Sequence, residues 1–327
     1  MYKTLTVLLI LFISSSAMKG QMTFRVMSYN VENLFDTQDN PLTDDDEFLP
    51  VGARHWSDKR YYHKLQQIAK VIIAAGEWET PALVGLCEIE NDTVVTHLLR
   101  KTPLRNQPYR YCISNSSDRR GINVALLYRR DKFRYISHRS VPVKHRKGNT
   151  RSARDVLHVT GQVATGDTLD VMVCHFPSKY GGEKESEMRR MDAARTVREL
   201  CDSLGVVRTN PLIILMGDFN EPPESHCMQL IAEGNLHNLF AGMKGSHKYQ
   251  GEWSQLDQLF VYRKMLSDLS RMRVVSGSVA NFSPPFLFVE DKTWRGKRPH
   301  RSYYGYKYRA GYSDHLPIKA DFLLSLP

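Results

Sequence analysis

The stretch 215-LMGDFNEPP-223 closes an apolar run with two polar residues that stand one position apart. The preceding residues, from Leu212 to Met216, have the composition of a buried strand. Alternate residues of a strand face the same side, so Asp218 and Asn220 are expected to face one way and Phe219 the core. A single Asp after a strand is commonly a turn former or a helix cap. The stretch alone therefore leaves a turn and a functional site as alternatives.

The same pattern recurs at other apolar runs along the chain, and the joint occurrence favours a shared site. Each run ends or begins with a polar residue that a hydrophobic core would reject: Asn30 in VMSYN, Glu88 in LVGLCE, His175 in VMVCH, Asp257 in LDQLF, and Asp314 with His315 in YSDH. If these ends converge on one rim, the rim carries carboxylates, amides and imidazoles. Such groups bind hard divalent cations and provide acid–base catalysis for phosphoryl chemistry.

The hydrophobic periodicity predicts eight strands and three helices. The strands are predicted at 23–31, 82–89, 122–129, 155–163, 168–176, 211–219, 256–262 and 315–322, and the helices at 61–75, 183–204 and 224–232. Several strands follow one another through short turns, which does not fit strict alternation of strands and helices. This order favours an α/β fold with two mixed or antiparallel sheets packed face to face and helices outside.

Seven segments together resemble the successive motifs of the endonuclease/exonuclease/phosphatase superfamily, which includes deoxyribonuclease I-like nucleases. They are MSYNVENLFD, LVGLCEIEN, RGINVALLYR, VCHFPSKYGGE, LMGDFNEPP, LDQLFV and YSDHLPI, in family order from Asn30 to Leu316. The resemblance covers nearly all of the chain after its first twenty residues. It implies a four-layer α/β sandwich in which two central mixed sheets are flanked by helices, with the active site at one edge.

The resemblance also implies ligands for a metal and for the phosphoryl group. Glu88 would be the principal ligand of Mg²⁺ or Mn²⁺, helped by Asn30 and by Asp314. Mg²⁺ keeps several waters and takes few protein carboxylates, so this sparse set is chemically sensible. His175 and Asn220 would hydrogen-bond the phosphoryl oxygens.

Acid–base and substrate roles follow from the same resemblance. His315 would be oriented by Asp257, and Asp218 would orient or deprotonate the attacking water. Whether Asp218 or His315 accepts the proton stays open, because a neutral His suits base catalysis near pH 7 whereas an Asp needs a raised pKa. Arg120 and Lys179 are expected to bind substrate phosphates, with exposed surface charge as the alternative.

The first twenty residues predict a cleaved signal peptide, with Lys3 before the apolar run from Leu5 to Ile13 and small residues after it. An uncleaved anchor helix is the alternative. The first Cys is Cys87, so no lipid-modified N-terminal Cys is indicated. We expect a periplasmic or secreted monomer with a single catalytic domain at 21–327 and no membrane span in the mature protein. One disulfide among Cys112, Cys201 and Cys227 is left open.

Charge and aromatic content favour nucleic acid as the substrate. The formal charge is +10, and removal of Lys3 and Lys19 leaves about +8. A basic segment spans Ser137–Asp155, and a second segment, Asp291–Asp314, interleaves Lys and Arg with Trp and Tyr. This composition suits a phosphate backbone and stacked bases, although the tyrosines could instead pack on the domain. The leading hypothesis is an exported, metal-dependent phosphodiesterase, an endonuclease. The alternatives are a phosphatase, a phospholipid or sphingomyelin phosphodiesterase, and a silent binding module.

Overall fold

The computed structural model describes residues 21–144, 154–179, 183–243 and 245–326, with the side chains of 183–185 excepted. The predicted signal peptide and residues 145–153 of the predicted basic segment lie outside the described residues. In the described part of the chain, no helix is both long and apolar enough to cross a membrane.

The described residues form nineteen strands and four α-helices. The α-helices are α1 (Asp58–Gly76), α2 (Asp92–Arg100), α3 (Glu183–Val207) and α4 (His226–Ala232). The strands are β1 (Gln21–Leu34), β2 (Leu83–Ile89), β3 (Tyr109–Ile113), β4 (Asn123–Arg129), β5 (Phe133–Val141), β6 (Val156–Val163), β7 (Thr168–His175), β8 (Leu212–Asp218), β9 (Leu236–Asn238), β10 (His247–Tyr249), β11 (Glu252–Ser254), β12 (Asp257–Tyr262), β13 (Met272–Val274), β14 (Ala280–Asn281), β15 (Phe288–Glu290), β16 (Lys297–Pro299), β17 (Tyr303–Tyr304), β18 (Lys307–Tyr308) and β19 (Ile318–Ser325).

Two large mixed sheets form the centre of the molecule. The first has the order β13-β19-β1-β2-β4-β3, with β14 also paired to β19, and the second has the order β5-β6-β7-β8-β12-β9. Each contains one parallel pair, β1 with β2 and β7 with β8, while the other pairs are antiparallel. The parallel pairs place the carboxyl ends of four strands at equivalent edges of the two sheets.

Three hydrophobic clusters divide the molecule into four layers. One cluster lies between the sheets and contains Val26 from β1 and Met216 from β8. A second joins the outer face of the first sheet to α1 and α2, and a third joins the outer face of the second sheet to α3 and α4. Because both faces of the central strands are covered, their sequences are nearly continuous apolar runs. The expected four-layer sandwich is confirmed.

The eight predicted strands and three predicted helices are present, with ends that differ by a few residues. The last strand begins at Ile318 and not at His315, which instead forms an isolated bridge with His247. Strands β3 and β5 and helix α2 were not predicted, nor were the short strands β9–β11 and β13–β18. Ser137–Val141, predicted as the start of a basic loop, belongs to the edge strand β5, whose residues are mostly exposed. Charged, exposed edge strands lack the hydrophobic alternation on which the prediction relied.

All five cysteines lie within the described ranges, and each is a buried free thiol. The disulfide left open among Cys112, Cys201 and Cys227 is therefore not formed in this structure. Burial raises the pKa of the Cys112 thiol to about 12, so these side chains act as small core residues.

Candidate active site

Sheet register brings the predicted site residues together. Asn30 and Glu88 stand at the carboxyl ends of the parallel strands β1 and β2. His175 pairs with Asp218 at the carboxyl ends of the parallel strands β7 and β8. Asp257 begins the antiparallel strand β12 and lies directly opposite Asp218. The two sheets thus present these five side chains at one edge.

The Asp218 carboxylate is the centre of a hydrogen-bond network. The Asn30 side-chain amide donates to Asp218 Oδ2 at 2.9 Å and to Glu88 Oε1 at 3.2 Å, so it bridges the two carboxylates. The backbone N–H of Asn220 donates to Asp218 Oδ1 at 2.9 Å. His175 Nε2 lies 3.6 Å from Asp218 Oδ2 and 3.8 Å from Glu88 Oε1. Asn30 and Asn220 therefore fix the orientation of the carboxylate that faces His175.

The glycine at position 217 and the backbone conformation of Asn220 explain the local geometry at the end of β8. Gly217 has φ +146°, and a Cβ there would lie 1.9 Å from the backbone oxygen of Cys174. Gly217 thus permits close approach of β8 to β7. Phe219 is fully buried and packs edge-on against Phe176, as predicted. Asn220 has φ +52°, and its amide donates to the Phe176 oxygen at 3.0 Å.

Asp257 and His315 form a buried pair beside Asp218. His315 Nδ1 and Asp257 Oδ2 are 2.7 Å apart, and His315 Nε2 lies 3.8 Å from Asp218 Oδ2. Burial alone would lower the pKa of His315, but the carboxylates of Asp257 and Asp218 outweigh it and raise this pKa well above its usual value. Burial raises the pKa of Asp218 to about 7. The charge of His315 opposes this rise, and the Asp257 carboxylate adds to it. Near neutral pH, His315 is therefore protonated and Asp218 is partly protonated.

Irregular backbone in β1 and in β2 sets the direction of the Glu88 side chain. The β1–β2 register shifts between Asn30 and Leu34, and Glu88 itself has φ +65°. The shifted backbone of β1 lets the Asn33 N–H donate to Glu88 Oε2 at 2.7 Å. Bulges of this kind re-aim side chains next to active sites, and left-handed non-glycine residues persist where the surroundings hold them.

The residues around Glu88 fit Mg²⁺ or Mn²⁺. The Glu88 side chain is 15% exposed, and its carboxylate oxygens are donors of the kind that hard divalent cations take. Two other groups of three donors lie within 4.8 Å of one another, namely Asp218, Asp257 and His315, and His247, Asp314 and His315. Glu88 would hold the cation, with water completing its coordination, whereas Asn30 would add its Oδ1 only if its side chain turned away from the Glu32 N–H that this oxygen accepts at 3.0 Å. Their roles as ligands stay predictions.

Glu32, Lys64 and Arg301 form a charged network that the sequence analysis missed. Arg301 binds Glu32 Oε1 at 3.0 Å and Asp314 Oδ2 at 2.8 Å, so the predicted ligand Asp314 carries a cationic partner. Burial alone would raise the pKa of Asp314, but Arg301 and His315 outweigh it and hold this pKa well below its usual value. Lys64 is 1% exposed and lies 3.7 Å from Glu32 Oε2. Glu32 could have been found, because it follows Asn30 by two residues in SYNVEN.

Arg154 is a second missed residue and lies at the end of the predicted basic segment. It donates to the backbone oxygen of Phe176 at 3.0 Å and to Asp118 Oδ2 at 3.1 Å. Burial, followed by the charges of Arg154 and Arg120, lowers the pKa of His175 well below its usual value. His175 is therefore neutral at physiological pH. Arg154 and Arg120 thus place positive charge beside neutral His175, on a rim that otherwise gathers carboxylates.

The two predicted substrate residues, Arg120 and Lys179, are both exposed. Their side chains are 47% and 54% accessible, and each lies 4.0 Å from a carboxylate, that of Asp118 for Arg120 and that of Glu221 for Lys179. At these separations the carboxylates leave both cations free to contact a ligand. The charge of Arg120 acts on the nearby His175. The substrate role of both stays a prediction.

Most tyrosines of the segment Asp291–Asp314 pack on the protein and not toward solvent. Tyr303 and Tyr312 are buried in the cluster that covers the first sheet. Arg54 lies over the ring of Tyr303 at 5.1 Å, and Arg60 lies over Tyr308 at 4.6 Å. The packing alternative is thus correct for these rings. Exposed aromatic surface remains at Trp294 (50%), Tyr304 (43%) and Tyr306 (67%).

Comparison with known proteins agrees with this geometry. The sequence profile described as "Endonuclease/Exonuclease/phosphatase family" matches residues 25–322. No curated protein matches this chain. A solved Bacteroides thetaiotaomicron structure titled as a protein of that family is 17% identical, with a TM-score of 0.60 over 94% of this chain and 97% of its own. A mannosyl-6-phosphatase from the same organism is 18% identical, with a TM-score of 0.58 over 91% and 99%. The human Nocturnin catalytic domain with bound sulfate is 15% identical, with a TM-score of 0.56 over 93% and 96%. At these identities the structures show a shared fold.

Proposed function

We propose that this chain, which belongs to the endonuclease/exonuclease/phosphatase family, is a divalent-metal-dependent hydrolase of phosphodiester bonds in nucleic acid. The observation that carries the proposal is one continuous network. Asp257 holds His315, His315 faces Asp218, and Asn30 bridges Asp218 to Glu88. This arrangement supplies a base, a proton donor and a cation site on one rim, which is what phosphoryl transfer to water requires.

Asp218 and His315 supply the acid–base chemistry of this proposal. The pKa of Asp218, about 7, leaves a large fraction ionised at neutral pH and able to accept a proton from water. His315, kept protonated by Asp257, donates a hydrogen bond from Nε2 toward the phosphoryl oxygens. Neutral His175 presents Nε2 on the same side. A cation held by Glu88 would polarise a phosphoryl oxygen and offset charge on the leaving group.

Exposed cations at the rim and exposed aromatic rings in the segment Asp291–Asp314 support nucleic acid as the substrate. Arg120, Lys179 and the 36% exposed side chain of Arg301 offer charge-assisted donors to phosphates beyond the scissile one. Trp294 and Tyr306 retain exposed ring faces on which bases could stack. We propose endonuclease action, since single-stranded or double-stranded backbone would cross an open rim of this kind.

A polar groove next to the site favours a second candidate, a phosphatase acting on a sugar phosphate. The groove has a volume of about 980 Å³ and is lined by hydroxyl, amide and carboxylate side chains, with Arg119 as the one arginine among its described lining residues. It includes Glu90, two residues after Glu88, and Asp118, the partner of Arg154. The hydroxyl and amide side chains of the wall offer neutral donors and acceptors to a polyhydroxylated ligand, and its carboxylates disfavour a polyanion. The similarity to a mannosyl-6-phosphatase supports the same candidate.

A substrate panel tests the proposal. Purified protein with Mg²⁺ or Mn²⁺ would be given plasmid DNA, single-stranded DNA, RNA, bis-p-nitrophenyl phosphate, hexose 6-phosphates and sphingomyelin, each with an EDTA control. We expect metal-dependent cleavage of a nucleic acid, lost in His315→Ala and kept in His237→Ala, a half-buried histidine of β9. Turnover of hexose phosphate alone would favour the second candidate. Activity that survives EDTA, or none on any substrate, would refute the metal-dependent mechanism.

Export and monomeric state belong to the same proposal. We expect residues 1–20 to be removed on export, which would leave a periplasmic or secreted enzyme. Mass spectrometry of the protein recovered from the native host would give the mature N-terminus, and light scattering its oligomeric state. A protein that retains Met1 would overturn the proposed cleavage.

A further inference from the structure

His247 is a histidine at the active-site rim that the proposed reaction does not use. It begins β10, which pairs with β11, and its backbone bridges to His315. The neighbouring Ser246 accepts the backbone N–H of Leu316 at 2.7 Å, and its hydroxyl accepts the N–H of Asp257 at 3.0 Å. The hairpin is therefore tied to the two segments that carry the proposed catalytic pair, and the backbone of His247 is held beside them.

The side chains of His247, His315 and Asp314 form a compact donor cluster. The two imidazole rings have centroids 4.6 Å apart and are tilted by 40°. One donor atom from each of the three side chains lies within 4.8 Å of the other two. His247 and Asp314 are partly exposed, which gives an ion a path to the cluster from solvent. Small rotations of these two side chains would bring the donors to metal–ligand distances of about 2.0–2.2 Å.

The surroundings of His315 complete the features of a metal-binding histidine. Its Nδ1 is held by Asp257 Oδ2 at 2.7 Å, and its Nε2 lies 3.8 Å from Asp218 Oδ2, so Nε2 is the ring nitrogen that a metal ion could bind. A carboxylate behind a histidine fixes its tautomer and increases its basicity as a ligand. Two imidazoles and one carboxylate are ligands of Zn²⁺, whereas Mg²⁺ takes oxygen donors of the kind found around Glu88.

We propose that His247, His315 and Asp314 form an inhibitory site for Zn²⁺ or a similar transition-metal ion. The ion would bind a carboxylate oxygen of Asp314 and Nε2 of His315 in place of the Nε2 proton, which is released to solvent, so His315 could no longer donate a hydrogen bond to the substrate. Arg301, 2.8 Å from Asp314 Oδ2, opposes this binding by occupying one oxygen and by its charge. The inhibitory consequence rests on the proposed function, whereas the binding site does not.

Direct binding tests the site without any assay of activity. Protein stripped with EDTA and dialysed would be titrated with Zn²⁺ by calorimetry, and with Co²⁺ by visible absorption, which reports the ligand set. We expect His247→Gln to weaken Zn²⁺ binding at least 10-fold and to lose the Co²⁺ bands. The control His237→Gln should bind as the wild type does, and Arg301→Gln should bind more tightly. Equal affinity in wild type and His247→Gln, or no saturable binding to the wild type, would overturn the site.

Inhibition is measured separately, on whichever phosphoester the protein cleaves. At fixed Mg²⁺, half-inhibition of His247→Gln should need at least 10-fold more Zn²⁺ than half-inhibition of the wild type. A protein that binds Zn²⁺ through His247 but keeps full activity would overturn the inhibitory role. A protein without phosphoesterase activity would refute the proposed function and leave the binding result standing, so the two failures are distinguishable.

Discussion

Replacing Asp218 with Asn should stabilise the folded protein while removing its activity. Asp218 is 1% exposed, and burial raises the pKa of its carboxyl from 3.8 to about 7. Between about pH 4 and 7, the folded state keeps a proton that the unfolded state has lost, so stability falls as pH rises through this window. Each unit of pKa corresponds to about 1.36 kcal/mol, and the shift of roughly 3 units therefore costs the wild type about 4 kcal/mol above pH 7. Asn cannot ionise and avoids this cost.

Urea unfolding in EDTA between pH 4 and 8.5 measures the effect. We expect Asp218→Asn to match the wild type near pH 4 and to gain up to about 4 kcal/mol at pH 8. Asp170→Asn is the matched control of opposite sign. Burial alone would raise the pKa of Asp170, but His158 and Arg208 outweigh it and hold this pKa well below its usual value. The ionised form of Asp170 thus stabilises the fold above about pH 4, and Asp170→Asn should be less stable than the wild type there.

The result that would refute this reasoning is a free-energy difference between Asp218→Asn and the wild type that does not change with pH. Such a result would mean that the Asp218 carboxyl titrates alike in the folded and unfolded states. A destabilised Asp218→Asn at pH 8 would show that the hydrogen bonds from Asn30 and Asn220 outweigh the cost of burying the charge.

Three further outcomes follow from the site and its frame. His315→Ala should lower phosphoesterase turnover by about 100-fold or more, measured as kcat at saturating Mg²⁺, and near-normal turnover would contradict its role. Gly217→Ala should lower the free energy of unfolding by about 3 kcal/mol, because the Cβ of the new alanine would lie 1.9 Å from the Cys174 oxygen. An unchanged urea midpoint would argue against this packing. Lys64→Met should cost about 3–5 kcal/mol near neutral pH, because it leaves the buried Glu32 with less cationic compensation, and thermal unfolding that matches the wild type would show that Arg301 suffices.

The strands and most of the rim could be predicted because their signals are local. An apolar run with a polar residue at its end can be recognised within one segment, as at Glu88 and Asp218. The order of such segments then carried the family resemblance and, through it, the fold. Strand β5 escaped because an exposed edge strand has no core-facing alternation.

The long cationic side chains of the site could not be predicted from sequence, because their burial depends on tertiary partners. Lys64 stands on an amphipathic helix, where a lysine is ordinarily solvated, yet it is buried because Ser302 and the Tyr312 backbone oxygen accept its hydrogen bonds. Arg154 belongs to a basic segment that predicts exposure. His247 begins a three-residue strand with no hydrophobic pattern. Each residue can be recognised as part of the site only in the folded structure, where segments distant in sequence pack against it.

The charges of the rim point to Glu88 as the cation site by an argument separate from any resemblance. Five carboxylates meet there, and four have their charge compensated in the described structure. Glu32 and Asp314 are paired with lysine or arginine, Asp257 is paired with the imidazolium of His315, and Asp218 is held partly protonated by its raised pKa. Among the ion pairs of the described residues, Glu88 has only a 3.8 Å contact with a histidine that is neutral at pH 7. A partly exposed carboxylate without a lysine or arginine at ion-pair distance is the one that a cation from solvent stabilises most. A divalent ion bound at Glu88 would therefore offset the remaining negative charge of the rim, whereas an ion at Asp314 would have to compete with Arg301.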